Sequence, residues 1–153
     1  MPDYLVRQAK FLELGLTDQI VWHGRKPQSD VKDLLAWADI FVLASKIAAN
    51  GDRDGLPNVL MEAQAAGVAC ISTAVSAIPE LIHDGDTGLL VAPGDPGALA
   101  AAITRLAKDT ELRTKLATAG TERVRAKFDQ NTGLDAIAEA LRADAVSHKK
   151  SDA

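Results

Sequence analysis

Cysteine is almost absent from this chain of 153 residues; Cys70 is its single copy. One cysteine closes no internal disulfide, so no disulfide framework shapes the fold and nothing points to an oxidising compartment. Cys70 lies in the apolar run VACIS, where a thiol behaves as a small buried hydrophobe. Long apolar runs are absent too: no uncharged stretch approaches the roughly 18 residues that a spanning helix needs. The opening MPDYLVRQAKFLEL has a helical apolar period rather than the continuous apolar core of a signal peptide. These absences predict a soluble, cytoplasmic chain. An excess of positive charge is also missing. The net charge is −4, which argues against attraction to nucleic acid or to an anionic membrane. Neither an internal repeat nor a low-complexity linker interrupts the sequence.

What is present is an ordinary globular composition, 47% hydrophobic and 25% charged. A chain of this size buries about 70% of the surface its unfolded form exposes. Leu5, Ala9 and Leu12 recur at helical spacing and predict a helix over 3–14. Gly15 and Leu16 would end it as a Schellman stop. IVWH (20–23) is a short β-prone run, after which Ser29 or Asp30 would cap a helix running to Ala38. IFVLAS (40–45) reads as a strand buried on both faces. The loop KIAANGDRDG follows, then a helix with Pro57 in its first turn and Gly67 at its stop. VACIS (68–72) is the next buried strand. Ser76 would cap a short helix through Ile82, and GLLVA is the last strand. Asp95 and Pro96 open a helix, Asp109 or Thr110 opens another, and Leu134, Ile137, Ala138 and Leu141 mark a third. The alternation predicts an α/β fold with a Rossmann-like parallel sheet and flanking helices. In such sheets ligands bind beyond the carboxyl ends of the strands.

The segment GDRDGLPNVLMEAQAAG (51–67) runs from a buried strand through a glycine loop straight into a helix. A helix N-terminus offers unpaired N–H groups and the positive end of the macrodipole, an arrangement suited to phosphate or carboxylate. Gly55 to Val59 would meet such a ligand; a plain strand-to-helix turn using glycine for geometry satisfies the same pattern. Asp52-Arg53-Asp54 spells a DxD, but it leads straight into the helix, and we assign it no metal. His23 ends a β-prone run and reads as a partly buried histidine rather than a catalytic base.

Asp54 and Glu62, with seven residues between them, resemble the E-x7-E signature of retaining glycosyltransferases. LAS before the loop, DGLPNVLMEAQAAGVACIST across it and SAIPELIHDGDTGLLVAPGDP after it extend the likeness. Together they resemble the nucleotide-sugar donor domain of family-4-like enzymes with the GT-B fold, over about residues 12–130. The resemblance implies retaining transfer from a UDP- or GDP-sugar, with no cofactor and no obligatory metal. It makes Asp54 the catalytic carboxylate near the transferred sugar, one methylene shorter than the usual Glu. An N-cap role for Asp54 is compatible with that. It makes Glu62 the acceptor for the donor's ribose hydroxyls, where the alternative is a solvent-facing helical carboxylate. Gly55, Leu56, Pro57, Asn58 and Val59 would line the sugar and diphosphate. Gly24 and Arg25 lie in the loop expected at the nucleobase, which the family reads mainly through backbone groups. Ser72 and Thr73 would end near the diphosphate. Ser76 and Ala77 stand where the family often has two glycines.

The resemblance also implies residues 1–145 as part of a donor domain and 146–153 as a polar tail. The family's donor domain opens with an Arg-bearing strand, a nearby Lys and a second strand, none of which matches here. Alone, the chain should then bind donor weakly and transfer little. Its expected partners are a nucleoside-diphosphate sugar, an acceptor of polysaccharide or glycolipid type, and either a missing N-terminal domain or a second copy. A split-enzyme subunit and a non-catalytic binding module are the alternatives. With strand order 3-2-1-4-5-6 as the reference, one edge of 40–45 should lack its usual neighbour. Residues 20–23 would then pair with 40–45 directly or pack on another chain.

Overall fold

A computed structural model describes residues 11–48, 51 and 55–128. The third C-terminal helix expected at 134–141 and the tail at 146–153 lie outside the described residues. The chain divides into two compact units, residues 1–31 and 32–153.

In the first unit, residues 11–13 are helical and the expected stop follows. Leu16 N–H donates to Phe11 O at 3.0 Å and Gly15 N–H to Leu12 O at 3.1 Å, the paired bonds of a Schellman motif. A 3-10 turn spans Thr17–Gln19. The Phe11 and Trp22 rings meet edge to face at 5.5 Å. Residues 20–23 depart from expectation: among the described residues they join no ladder. A β-prone run becomes a strand only where another edge takes its backbone groups, and none of the described strands does so here. His23 is exposed rather than partly buried. Helix α1, Gln28–Trp37, starts one residue earlier than Ser29, because the Pro27 carbonyl accepts from Val31 N–H at 3.2 Å. Ser29 and Asp30 therefore sit inside its first turn and do not cap it. Asp30 pairs with Lys26 at 3.5 Å and faces the positive helix end.

The second unit is a parallel sheet of β1 (Ile40–Leu43), β2 (Ala69–Thr73) and β3 (Leu89–Val91), in that spatial order. Ile40 aligns with Ala69 and Leu43 with Ser72; Ile71 aligns with Leu89 and Thr73 with Val91. Between the strands come α2 (Asn58–Ala65) and α3 (Ile78–Leu81), and after β3 come α4 (Pro96–Lys108) and α5 (Thr110–Lys127). All five residues of β2 are buried, as a central strand requires. β1 is less covered than a strand buried on both faces would be: Val42 is 37% exposed and its three neighbours are half-buried. The reason is position. β1 is an edge among the described residues, pairing only with β2, as anticipated from the strand order.

The core on one face joins Ala69, Ile71 and Leu89 of the sheet to Ala102 and Leu106 of α4 and Leu116 of α5. Each fully buried Leu or Ile there contributes about 1.5–3 kcal/mol. Leu60 and Ala63 of α2 are fully buried, and α2 packs against β2 and α5. The helix signals at Asp95 and Asp109 hold. The Asp95 carboxylate accepts from Ala98 N–H at 2.8 Å and that of Asp109 from Leu112 N–H at 2.9 Å. α2 ends as read, with Gly67 at φ +79. Val68 N–H bonds to Ala63 O and Gly67 N–H to Gln64 O, both at 3.0 Å. Ser76 does not cap α3. Its φ is +51, Ala77 takes the N-cap position and no side chain caps the helix. A serine in the left-handed region orients its backbone for a turn, so the helix begins two residues later.

Candidate functional site

The carboxyl ends of β1, β2 and β3 open onto one side of the sheet, and the loops that follow them form the candidate site. β1 ends in a tight turn, with Ser45 N–H bonded to Leu43 O at 3.2 Å. The chain then passes through Gly51 and Gly55 into α2. Asp54, the expected catalytic carboxylate, lies outside the described residues, as do Asp52 and Arg53.

Gly55 is exposed, and nothing lies within 4 Å of a Cβ built on it. Leu56 and Pro57 are half-buried. Pro57 is the N-cap of α2, with φ −64 and ψ 120, and no side chain among the described residues caps the helix. Proline suits this place because the first N–H positions of a helix have no internal partner. Asn58 is exposed and Val59 half-buried at the start of α2. Their N–H groups precede the first internal acceptor bond, Leu60 N–H to Pro57 O at 3.0 Å. Gly55 to Val59 thus form one continuous rim at the positive end of α2. Glu62 follows one turn later and is half-buried, set beside the buried face made by Leu60, Ala63 and Gln64.

The expected positions on β2 are used structurally. Ser72 Oγ donates to Leu43 O at 2.7 Å and Thr73 Oγ1 to Ser45 O at 2.6 Å. Both residues are buried, and their hydroxyl protons tie the end of β1 and its loop to β2. Thr73 also lines a cleft of about 200 Å³ with Ser45, Lys46, Val91 and Asp95. Gly24 and Arg25 are exposed in the first unit, Gly24 with φ +64. The structure therefore groups Gly55–Val59 with Glu62 on one loop and helix, and sets Ser72 and Thr73 at the neighbouring strand end.

Contacts not legible beforehand complete the site's frame. Ala77 N–H donates to Gly55 O at 3.2 Å, joining the loop after β2 to the loop before α2. Ser76, immediately before it, holds a backbone conformation that costs a non-glycine residue about 1 kcal/mol and persists only where neighbours impose it. Gln64 is fully buried and its Nε2 donates to Thr87 O at 2.7 Å. Thr121 Oγ1 of α5 donates to Gln64 O at 2.7 Å. The one sequence signal for this node is a polar residue at i+4 from Leu60 on an apolar helix face. Cys70 lies behind the site on β2; burial pushes its thiol up from 9.0 to about 12, which makes it a structural and unreactive cysteine.

A parallel sheet flanked by helices, with a helix start at the carboxyl end of its strands, defines a Rossmann-like α/β domain of the kind found in GT-B glycosyltransferases. The chain belongs to the family of glycosyl transferases group 1, which matches residues 2–123. Amylovoran biosynthesis glycosyltransferase AmsK of Erwinia amylovora is 40% identical over 126 residues, 82% of this chain and 31% of AmsK. The putative colanic acid biosynthesis glycosyltransferase WcaL of Salmonella typhimurium is 40% identical over 116 residues, 75% of this chain and 29% of WcaL. The chain thus spans about a third of the length of these relatives. Among solved structures, Anabaena HepE in complex with UDP superposes with a TM-score of 0.81 at 25% identity. That match covers 92% of this chain and 37% of HepE. Among the described residues, no helix is long and apolar enough to cross a membrane.

Proposed function

We propose that this chain binds the nucleoside-diphosphate sugar of a retaining glycosyltransferase, at the rim formed by Gly55–Val59 and Glu62. The observation that carries the reading is the N-terminus of α2, where Pro57 at the cap position supplies no side-chain cap and Gly55 is exposed, with a half-buried carboxylate one turn along the same helix. The free N–H groups suit the diphosphate, and a charged carboxylate accepts strongly from a pair of ribose hydroxyls. In transfer, the bond between the anomeric carbon and the diphosphate oxygen breaks, and the acceptor oxygen bonds to that carbon on the same face. The leaving diphosphate takes the bonding electrons and accepts the proton that the acceptor hydroxyl loses, and the start of α2 stabilises the charge that develops on it. Asp54, eight positions before Glu62, is assigned to the transferred sugar. Thr73 and Ser72 are assigned to the diphosphate side, as supports rather than donors, because their hydroxyl protons are already committed.

The UDP complex of HepE supports a uridine nucleotide as the first donor to test. The amylovoran and colanic acid enzymes among the relatives support an acceptor of polysaccharide type. For the partner, the edge of β1 is the face assigned to a further domain or a second copy, and sedimentation velocity distinguishes a monomer from a dimer. The donor reading is tested by titration calorimetry with UDP and GDP. Glu62→Ala should weaken binding by about 1.5–3 kcal/mol, the range for hydrogen bonds to charged groups. Equal affinity of wild type and variant would remove Glu62 from the site.

A further inference from the structure

The loop in front of α2 is held from a distance. Gly55 O receives Ala77 N–H at 3.2 Å, and Ala77 is the N-cap of α3. α3 is a single turn, closed by Glu80 N–H to Ala77 O at 3.0 Å and Ile82 N–H to Ile78 O at 2.9 Å. A one-turn helix has little internal stability of its own. Its carboxyl end is gripped by Arg123 of α5. Arg123 Nε donates to Leu81 O at 2.9 Å, and its Nη2 donates to Glu80 O. The guanidinium also lies over the Phe128 ring, 6.0 Å from the centroid. A cation at the last carbonyls of a helix satisfies groups that have no partner inside it.

Ser76, with its φ of +51, stands just before both anchors. A turn in that conformation persists only where its neighbours impose it. On its N-terminal side Val75 N–H donates to Thr73 O at 2.9 Å; on its C-terminal side the chain is held by the bond from Ala77 to Gly55 and by the docking of α3 through Arg123. We propose that Arg123 is a positioning residue for the nucleotide-sugar site: it fixes α3 and, through Ala77 N–H, sets the carbonyl of Gly55 and the loop entering α2. The donor consequence rests on the reading given above. The positional claim rests only on the bonds named here. α5 also touches α2 itself, through Thr121 Oγ1 and Gln64 O, so two links run from one helix to the two sides of the loop.

Amide hydrogen exchange by NMR on the 153-residue chain tests the claim without ligand. In Arg123→Ala, the Ala77 amide should exchange about tenfold faster or more, the scale of a lost hydrogen bond to a charged donor. The Ile71 amide, in the middle of β2, should stay near its wild-type rate. Arg123→Lys, which restores a cation, should fall between the two, and Arg123→Gln should resemble Arg123→Ala. Thr121→Val, which cuts the link to α2 and leaves α3 docked, should not change the ratio of Ala77 to Ile71 exchange. UDP affinity measured well below the melting temperature should drop about fivefold to tenfold in Arg123→Ala and recover in part with lysine. Unchanged Ala77 protection, or equal acceleration at Ala77 and Ile71, would overturn the proposal. So would wild-type UDP affinity in a variant whose Ala77 amide has lost protection. A wild-type chain that fails to bind UDP refutes the donor reading alone; the exchange ratio then still decides whether Arg123 governs the Gly55 loop.

Discussion

Replacing Gly88 by alanine places a methyl carbon 2.7 Å from the Cys70 carbonyl oxygen and 2.8 Å from Ile82 Cγ2. Ordinary contacts of this kind begin near 3.5 Å, so each neighbour would have to retreat by about 0.7 Å. Neither can do so cheaply. The Cys70 carbonyl belongs to the central strand of the sheet, and Ile82 is fully buried. Overpacking of a rigid core costs about 1–3 kcal/mol. A clash with backbone belongs at the upper end, about 3 kcal/mol. The loss of unfolded-state freedom on going from glycine to alanine offsets this by about 0.4–1 kcal/mol. The net expectation is a loss of about 2 kcal/mol, or a melting temperature lower by roughly 4–8 °C for a chain of this size. Gly55→Ala is the matched control, because nothing lies within 4 Å of its added carbon and its φ is not left-handed. It should leave stability unchanged or raise it by up to about 1 kcal/mol. Urea unfolding followed by circular dichroism measures both. A loss below about 0.5 kcal/mol for Gly88→Ala, the level of an ordinary surface change, would show that the β2–β3 contact is not as close as described.

Removing the caps at Asp95 and Asp109 by alanine should each destabilise by about 1 kcal/mol, and the urea midpoint of the double variant shows whether the two effects add. Cys70 links stability to pH. Its folded thiol is raised from 9.0 to about 12, so its contribution is whole below pH 9 and is lost as pH rises towards 12. The slope reaches at most about 1.4 kcal/mol per pH unit. Cys70→Ala should lack this part of the slope above pH 9; parallel curves for the two proteins would refute the linkage. In the native state, a thiol reagent at neutral pH should label Cys70 only as fast as the chain opens.

Local chemistry alone reached several elements of this protein. The helix stops at Gly15 and Gly67 were legible because a left-handed residue after an apolar periodic run satisfies the last carbonyls in only a few ways. The caps at Asp95 and Asp109 were legible for the same reason at the other helix end. VACIS reads as a buried strand from its apolar run, and β2 is buried throughout. The family itself was legible in the ordered segments around Asp54 and Glu62, and the match over residues 2–123 bears that out. What depended on partners was not legible. IVWH has the residues of a strand, yet a strand exists only where a second edge completes its hydrogen bonds, and residues 20–23 join none among the described residues. IFVLAS has the apolar run of a strand buried on both faces; its open edge followed from the strand order, but how far its faces are covered did not, and among the described residues Val42 is exposed. Ser72 and Thr73 have hydroxyls suited to a phosphate, yet carbonyls at the end of β1 take their protons. Arg123 is 42 residues from Leu81 along the chain, and no spacing rule connects them. Local propensity is a property of neighbours in sequence; a hydrogen bond to a distant carbonyl exists only once packing has brought the two groups together.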